Sequence, residues 1–232
     1  MQLFYTPDIA LSSELPEEEA VHCVRVLRLS EGDEIELTDG KGYFYRAAIR
    51  RAHAKHCEVE VLERWEQPAL WPFKVHIAVA PTKNIDRLEW FIEKATEIGI
   101  DAITCLNCRY SERREVKIPR LEKILVSAMK QSQKATIPTL EGMTDFGAFV
   151  RRPFNGRKFI AHCEEGDKKL IKELYHPGED ALVLIGPEGD FSEEEIALAL
   201  REGFQPISLG ESRLRTETAA LVACHTIHVL NQ

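Results

Sequence analysis

The chain has 232 residues and a hydrophobic content of 44%, which is enough to build a substantial core in one large domain or two unequal ones. Its net charge of −8 argues against indiscriminate binding to nucleic acid, and no apolar run approaches the roughly 20 residues of a membrane span. The first residues lack the basic start and apolar stretch of a secretory signal, and the six cysteines are too sparse for a disulfide framework. These features predict a cytoplasmic globular protein with free thiols and no membrane partner.

Short β-prone segments separated by turn signals fill the first part of the chain. They are DEIELTD, GYFYRAAI and CEVEVLE, within residues 33–63. Such spacing predicts a small β-barrel or sandwich. Two prolines in WEQPALWPFK then interrupt the pattern, so we expect a first domain over residues 1–70 and a second over 73–232.

The second part of the chain alternates between strand and helix patterns. The predicted strands, in chain order, are VHIAVAP, AITCL, KFIAHC, ALVLIG and PISLG. A helix with apolar residues from Ile85 to Ile98, which ends at Gly99, follows the first strand, and a helix from Pro119 to about Ser132 follows the second. A helix that begins at Ser192 with a capping box to Glu195 and ends near Gly203 follows ALVLIG, and a final apolar helix follows PISLG. This alternation predicts an α/β domain with a parallel sheet and a ligand site at the carboxyl ends of its strands.

Two basic zones stand out against the acidic average. Residues 41–57 hold five Lys/Arg and no acidic residue, together with the adjacent aromatics Tyr43, Phe44 and Tyr45. Residues 109–134 hold eight Lys/Arg against three Glu. Such clusters neutralise phosphates, and aromatics among them can stack on bases, so the two zones together favour RNA. The alternative is a solvated charged face with the strand aromatics turned into the core.

Two loops, LIGPEGDFSEEE and SLGESRLRTETAA, each connect a predicted buried strand to a helix. In the first, Gly186 and Gly189 allow close backbone approach and left-handed dihedral angles, Pro187 stiffens the turn and Glu188 supplies a carboxylate. The spacing matches neither a phosphate-binding loop nor the glycine fingerprint of dinucleotide folds, which disfavours a nucleotide-binding dehydrogenase. Taken alone, a G-x-x-G loop of this kind is more often an ordinary turn.

Four motifs in a fixed order resemble the RsmE family of ribosomal RNA uridine-N3 methyltransferases, in the SPOUT superfamily. They are HCVRVLRLSEGDEIELTDGKG, IEKATEIGIDAI, LIGPEGDFSEEEI and LRTETAA. The resemblance implies a PUA-like RNA-binding β-barrel followed by an α/β methyltransferase domain with a C-terminal trefoil knot. It also implies S-adenosylmethionine as cofactor, ribosomal RNA in the 30S subunit or its precursor as substrate, and a homodimer without a metal.

The resemblance also assigns roles to individual residues. The residues implied to bind the cofactor are His162, Leu184, Ile185, Gly186, Pro187, Glu188, Gly189, Ser208, Leu209, Gly210, Leu214, Thr216 and Thr218. Arg215 and Glu217 are expected to be catalytic, with Arg215 stabilising a uracil anion and Glu217 orienting Arg215 or the cofactor. The residues expected to bind RNA are Arg25, Arg28, Arg46, Arg50, Lys83 and Arg87.

Several alternatives remain open at this stage. Arg215 could instead be a structural ion-pair partner of Glu188 or Glu217, and Thr216 or Thr218 could cap the last helix. A zinc site formed by Cys105, Cys108, His225 and His228 is disfavoured because the cysteine pair is isolated. The chain departs from the usual family pattern at Asp190, at Glu211–Arg213 and at Met129–Lys134. A non-catalytic RNA-binding protein is the competing functional class.

Overall fold

The computed structural model describes residues 2–164, 166 and 168–232, and the chain divides into two compact units. The first unit contains the chain up to Leu70 together with Val126–Ile137, and the second contains Trp71–Leu125 and Pro138–Gln232. Residues 126–137 therefore belong to the first unit, whereas the sequence pattern assigned them to the second domain. The physical reason is a set of hydrogen bonds to Ala135, whose carbonyl oxygen accepts from the Gly42 N–H and the Thr38 hydroxyl.

The first unit is built on a four-stranded sheet with the strand order β1-β2-β3-β4. Its strands are β1 (Leu3–Tyr5), β2 (Glu34–Thr38), β3 (Tyr43–Arg51) and β4 (Glu58–Glu66). The β2, β3 and β4 strands are antiparallel, as the turn signals predicted, and β1 adds a parallel edge strand. Alternate residues of β2 and β3, including Ile35, Leu37, Tyr45 and Ile49, point into one buried apolar core.

A short helical segment lies between β1 and β2. The α1 helix (Glu17–Val21) continues into a π-helical turn, His22–Val26, which buries Cys23 and carries Arg25. Arg28 follows with a φ of +57°, in the left-handed region. The sequence patterns used above did not predict this segment, because it is too short to show a helical period.

The second unit contains a seven-stranded sheet, which is parallel throughout. Its strands are β5 (Val75–Val79), β6 (Ala102–Asn107), β7 (Thr139–Asp145), β8 (Arg157–Ala161), β9 (Lys169–Leu170), β10 (Ala181–Ile185) and β11 (Gln205–Ser208), in the order β7-β6-β5-β10-β8-β11-β9. All five residues of β10 are buried, as expected for a central parallel strand. The predicted parallel sheet is confirmed, and β7 and β9 are additional strands.

Six further helices follow α1 in the described part of the chain, and the four longest of them are those that the sequence predicted. The six are α2 (Ile85–Ile98), α3 (Ile118–Gln131), α4 (Phe146–Val150), α5 (Ile171–Leu174), α6 (Glu193–Arg201) and α7 (Thr216–Leu230). Gly99 ends α2 with a φ of +134°, and the predicted capping box of Ser192 and Glu195 begins α6. No helix in the described part of the chain is long and apolar enough to cross a membrane.

Candidate functional site

Two adjoining cavities lie where β8, β10 and β11 reach their carboxyl ends. The larger has a volume of about 430 Å³ and the smaller a volume of about 300 Å³. We treat them as one site, the strand-end cavity, because they share the lining residues Ala161, Cys163, Arg213, Leu214 and Ala219. Its position and size are typical of small-molecule sites in open parallel sheets.

The loop after β10 forms one wall of the strand-end cavity. A methyl group built on Gly186 would lie 3.2 Å from the Phe191 ring, so only glycine fits there without displacing the ring. The Thr216 hydroxyl donates a hydrogen bond to the Gly186 carbonyl oxygen at 3.1 Å, which ties this loop to the start of α7. The Glu188 carboxylate accepts a hydrogen bond from the Lys83 backbone N–H at 2.9 Å. The wall is therefore fixed at both of its edges.

Asp190 is the residue of this loop that adopts a left-handed conformation, with a φ of +66°. The prediction that Gly186 and Gly189 supply left-handed dihedral angles is wrong, since neither is among the described residues with a positive φ. Asp190 tolerates this backbone better than most residues, and its carboxylate accepts a hydrogen bond from the Cys163 N–H at 2.6 Å. The departure from glycine at position 190 thus connects the loop after β10 with the loop after β8.

His162 lines the larger cavity beside Lys168. Burial, and then the nearby Lys168 ammonium, lower the pKa of His162 below its usual value, so the imidazole is neutral at pH 7. Its Nδ1 atom is buried and has no hydrogen-bond partner among the described residues. The Lys168 ammonium is held by the carbonyl oxygens of His162 and Glu164, at 2.7 and 2.6 Å. The Nδ1 atom is therefore a buried polar group whose desolvation no described hydrogen bond offsets.

The loop after β11 forms the opposite wall and carries Arg215. Gly210 has a φ of +127° with open space around it, so this position needs glycine for its backbone conformation alone. Arg215 is the N-cap residue of α7, and its exposed side chain forms no ion pair within the described part of the chain. Thr216 bonds to Gly186 instead of capping the helix. The ion-pair alternative for Arg215 is thus not what the structure shows.

Glu217 pairs with Arg87 and not with Arg215. The Glu217 side chain is 9% exposed, its Oε1 atom lies 3.8 Å from Arg87 Nε, and its Oε2 atom has no hydrogen-bond partner among the described residues. Arg87 itself lines the smaller cavity. The predicted orientation of Arg215 by Glu217 is therefore replaced by contact with a different arginine, one that the sequence had assigned to RNA alone.

The cavity gathers most of the residues that the sequence implied for the cofactor. Those in its lining are His162, Ile185, Gly186, Pro187, Glu188, Ser208, Leu209, Gly210, Leu214 and Thr216. Three others are outside the lining: Leu184, which is buried in the sheet, Gly189 and Thr218. Of the two residues expected to be catalytic, Arg215 lines the cavity and Glu217 does not. The lining residues that sequence reasoning missed are Ala161, Cys163, Lys168, Asp190, Ile207, Glu211, Ser212, Arg213 and Ala219. For Asp190 and Glu211–Arg213, the departure from the family pattern was the sequence feature that could have identified them as lining residues.

The four arginines expected to bind RNA in the first unit fall into two groups. Arg46 lies 3.1 Å from the Glu63 carboxylate and 3.5 Å from that of Glu34, and Arg50 is paired with Glu60. The acidic partners come from neighbouring strands, so a zone that is purely basic in sequence is largely neutralised in the sheet. Arg25 and Arg28, in contrast, are exposed and form no ion pair within the residues that the structure describes.

The aromatics of the first basic zone are also engaged. Tyr45 is 2% exposed and its hydroxyl donates to Asp39 at 3.1 Å. The Arg64 guanidinium covers the Tyr43 ring at 3.7 Å, and Phe44 packs against Trp65. The core-packing alternative describes Tyr45, and these rings do not form an open stacking surface.

The cysteines expected to be free are free thiols, and the zinc alternative finds no support in their surroundings. Burial raises the pKa of Cys105 to about 12, whereas a metal ligand must be a thiolate. His228 Nε2 lies 2.6 Å from the Gly99 carbonyl oxygen, and His225 is exposed. Within residues 2–164, 166 and 168–232, no group of three or more His, Cys, Asp or Glu side chains could hold a metal ion.

Comparison with known proteins places this arrangement in a family. A family model described as an RNA methyltransferase domain matches residues 69–228, and one described as an RNA methyltransferase PUA domain matches residues 15–62. A ribosomal RNA small subunit methyltransferase E from Rickettsia conorii is 30% identical, over 94% of this chain and 89% of its own. The chain belongs to the ribosomal RNA small subunit methyltransferase E family.

Solved structures support the same family over the whole chain. A protein from Porphyromonas gingivalis described as a "probable rRNA-methyltransferase" is 46% identical, with a TM-score of 0.95 over 100% of this chain and 98% of that one. The ribosomal RNA small subunit methyltransferase E from Neisseria gonorrhoeae, solved with S-adenosyl methionine, is 28% identical, with a TM-score of 0.87 over 99% and 98%. The family resemblance and the pairing of a PUA domain with a methyltransferase domain are thus confirmed, and the dehydrogenase alternative is wrong.

Proposed function

We propose that this protein transfers a methyl group from S-adenosylmethionine to N3 of a uridine in small-subunit ribosomal RNA. The observation that carries the proposal is the strand-end cavity, which is walled by both family loops and has the unpaired Arg215 at its edge. Family membership supports the reaction class, and the Neisseria gonorrhoeae relative is bound to S-adenosyl methionine.

The residues of the cavity fit the cofactor. Backbone groups of Gly186 and Gly210 can approach an adenosine closely, and Leu214 and Ala219 offer apolar surface. When bound, S-adenosylmethionine supplies a methyl group that its sulfonium already activates. The protein must therefore position the two reactants and make the acceptor nucleophilic.

Arg215 is the residue that we propose activates the uracil. The N3 atom is a poor nucleophile while it holds its imide proton, and a fixed cation beside a carbonyl oxygen stabilises the anion that forms when the proton leaves. Arg215 is free of ion pairs within the described chain, so its charge is available to substrate. Glu217, which lies behind Arg87, is a positioning residue that holds this second cation at the cavity.

The test is the Arg215→Ala variant, with Arg201→Ala as a matched control. Arg201 is an exposed arginine of α6 that lines none of the cavities described. Loss of a transition-state contact should lower turnover about 100-fold or more, with S-adenosylmethionine affinity nearly unchanged, while Arg201→Ala keeps wild-type turnover. In the wild type, turnover should rise as pH approaches the imide pKa. A folded Arg215→Ala protein that methylates at the wild-type rate would contradict this assignment.

The first unit contributes RNA affinity in this proposal, through Arg25 and Arg28. Replacing both by alanine should weaken RNA binding and lower its salt dependence by roughly one unit of slope per lost phosphate contact. The matched control is Arg46→Ala, because Glu34 and Glu63 already neutralise that charge. If the double variant binds RNA as tightly as the wild type at every salt concentration, the assignment is wrong.

We further propose that the enzyme is a cytoplasmic homodimer with a knotted C-terminal region, acting on the 30S subunit or its precursor. Free thiols at all six cysteines are typical of a reducing compartment. On α7, Ala220, Ala223 and Ile227 are buried within the chain, while Val229 remains 48% exposed. A monomer by light scattering at micromolar concentration that is still active would refute the dimer.

A further inference from the structure

The loop after β6 presents an exposed tyrosine directly beside the cofactor wall. Tyr110 is 53% exposed. A methyl group built on Gly189 would lie 3.1 Å from the Tyr110 Cβ atom, so the tyrosine backs onto the loop that contains Gly186 and Glu188. An exposed aromatic ring therefore lies beside the loop after β10, whose residues Gly186 and Glu188 line the strand-end cavity.

The loop that carries Tyr110 is held rigidly from both sides. The Arg109 N–H donates to Glu195 at 2.8 Å, and the Cys108 N–H donates to the buried Ser111 hydroxyl at 3.0 Å. Arg113 donates to the carbonyl oxygens of Thr82 and Lys83, at 3.0 and 2.7 Å. These bonds fix the backbone on each side of Tyr110, so ordering this loop on binding costs little entropy.

Basic residues flank Tyr110 in the sequence. Arg109, Arg114 and Lys117 are exposed, and Arg114 and Lys117 form no ion pair within the part of the chain that the structure describes. Arg113 is committed to backbone carbonyls and Lys83 to Glu112, at 2.8 Å, so these two are structural. An exposed aromatic ring in a stretch that also carries exposed cations fits single-stranded RNA, whose bases can stack on the ring while its phosphates contact the cations.

We propose that Tyr110, with Arg114 and Lys117, forms a stacking platform for a single-stranded RNA nucleotide next to the target uridine. The inference rests on the proposed function and adds the site that holds RNA at the catalytic unit. It also gives the second basic zone its role, because the aromatics of the first zone are occupied by Arg64, Trp65 and the core.

The experiment measures the affinity of the full-length protein for oligouridine and for an RNA duplex of the same length. Tyr110→Leu keeps an apolar contact with Gly189 but removes the ring, so oligouridine binding should weaken about 5- to 100-fold while duplex binding is unchanged. Tyr110→Phe should retain wild-type affinity, because it keeps the ring. Trp90→Leu, which removes a ring that is 43% exposed on α2, is the matched control and should bind as the wild type does.

Two further measurements separate stacking from packing and from charge. S-adenosylmethionine affinity should be the same in Tyr110→Leu and wild type, whereas a loss would show that Tyr110 merely packs the Gly189 loop and would overturn the platform. Arg114→Gln should lower the slope of log affinity against log salt concentration by about one unit.

The platform and the proposed function can fail separately. If wild-type protein transfers no methyl group to small-subunit ribosomal RNA, the proposed function is wrong. If the wild type methylates that RNA and Tyr110→Leu still binds oligouridine with wild-type affinity, only the platform is wrong.

Discussion

Asp190 offers the sharpest test of how the strand-end cavity is held together. Its left-handed backbone, with a φ of +66°, and its 2.6 Å hydrogen bond from the Cys163 N–H can be removed separately. Asp190→Gly abolishes this hydrogen bond and the local one that the carboxylate accepts from the Phe191 N–H at 2.8 Å, but it adopts the backbone freely. Asp190→Asn keeps an acceptor and also tolerates the left-handed region. Asp190→Ala loses the acceptor and is strained as well.

The expected loss of unfolding free energy follows from these two contributions. A hydrogen bond to a charged acceptor contributes about 1.5–3 kcal/mol, reduced here because Asp190 is partly exposed, so Asp190→Gly should cost about 1–2 kcal/mol. Left-handed strain adds about 1–2 kcal/mol, which gives about 2–4 kcal/mol for Asp190→Ala. Asp190→Asn should stay within about 1 kcal/mol of the wild type, since its amide oxygen still accepts from Cys163.

Urea unfolding measures the stability, and calorimetric titration measures S-adenosylmethionine affinity on the same variants. Affinity should fall in the same order, Asn, Gly and then Ala, because the Cys163 loop lines both cavities. An alanine variant that is as stable as the wild type, or more stable than the glycine variant, would refute the two-part reasoning.

Three further changes test other parts of the molecule. Thr216→Val leaves the Gly186 carbonyl oxygen without its 3.1 Å bond and should cost about 1–2 kcal/mol of stability and weaken cofactor binding, while Thr216→Ser restores both in urea unfolding and titration. Gly210→Ala, at a φ of +127° with open space around it, should cost about 1–3 kcal/mol from backbone strain alone, as measured by urea unfolding. Burial lowers the pKa of His76 from 6.5 to about 4. Between these two pH values the unfolded chain binds a proton at His76 and the folded protein does not. The free energy of unfolding should therefore fall by up to about 3 kcal/mol as the pH drops from 6.5 to 4. His76→Gln should flatten that pH dependence, and the exposed His225→Gln should leave it unchanged; equal slopes in both variants would contradict the burial argument.

The sequence by itself determined the longer helices, most of the strands and the family. Gly99 ends α2 and Ser192 begins α6 as predicted, because caps and helical periods depend on neighbouring residues. The two loops after β10 and β11 were identified from the sequence alone, because their motifs and their position after buried strands are local features.

Only the tertiary structure decided which charged and aromatic side chains are exposed and free to bind a ligand. Arg46 looked free in a basic run, yet its acidic partners come from β2 and β4, the strands on either side of it in the sheet. Glu217 contacts Arg87 across 130 residues instead of its near neighbour Arg215, because α7 packs against α2. Tyr110 lies beside Gly189, in the loop after β10, only in the folded protein, because the two residues are far apart in the sequence. Ion pairing and exposure depend on long-range packing, and composition and spacing do not contain that information.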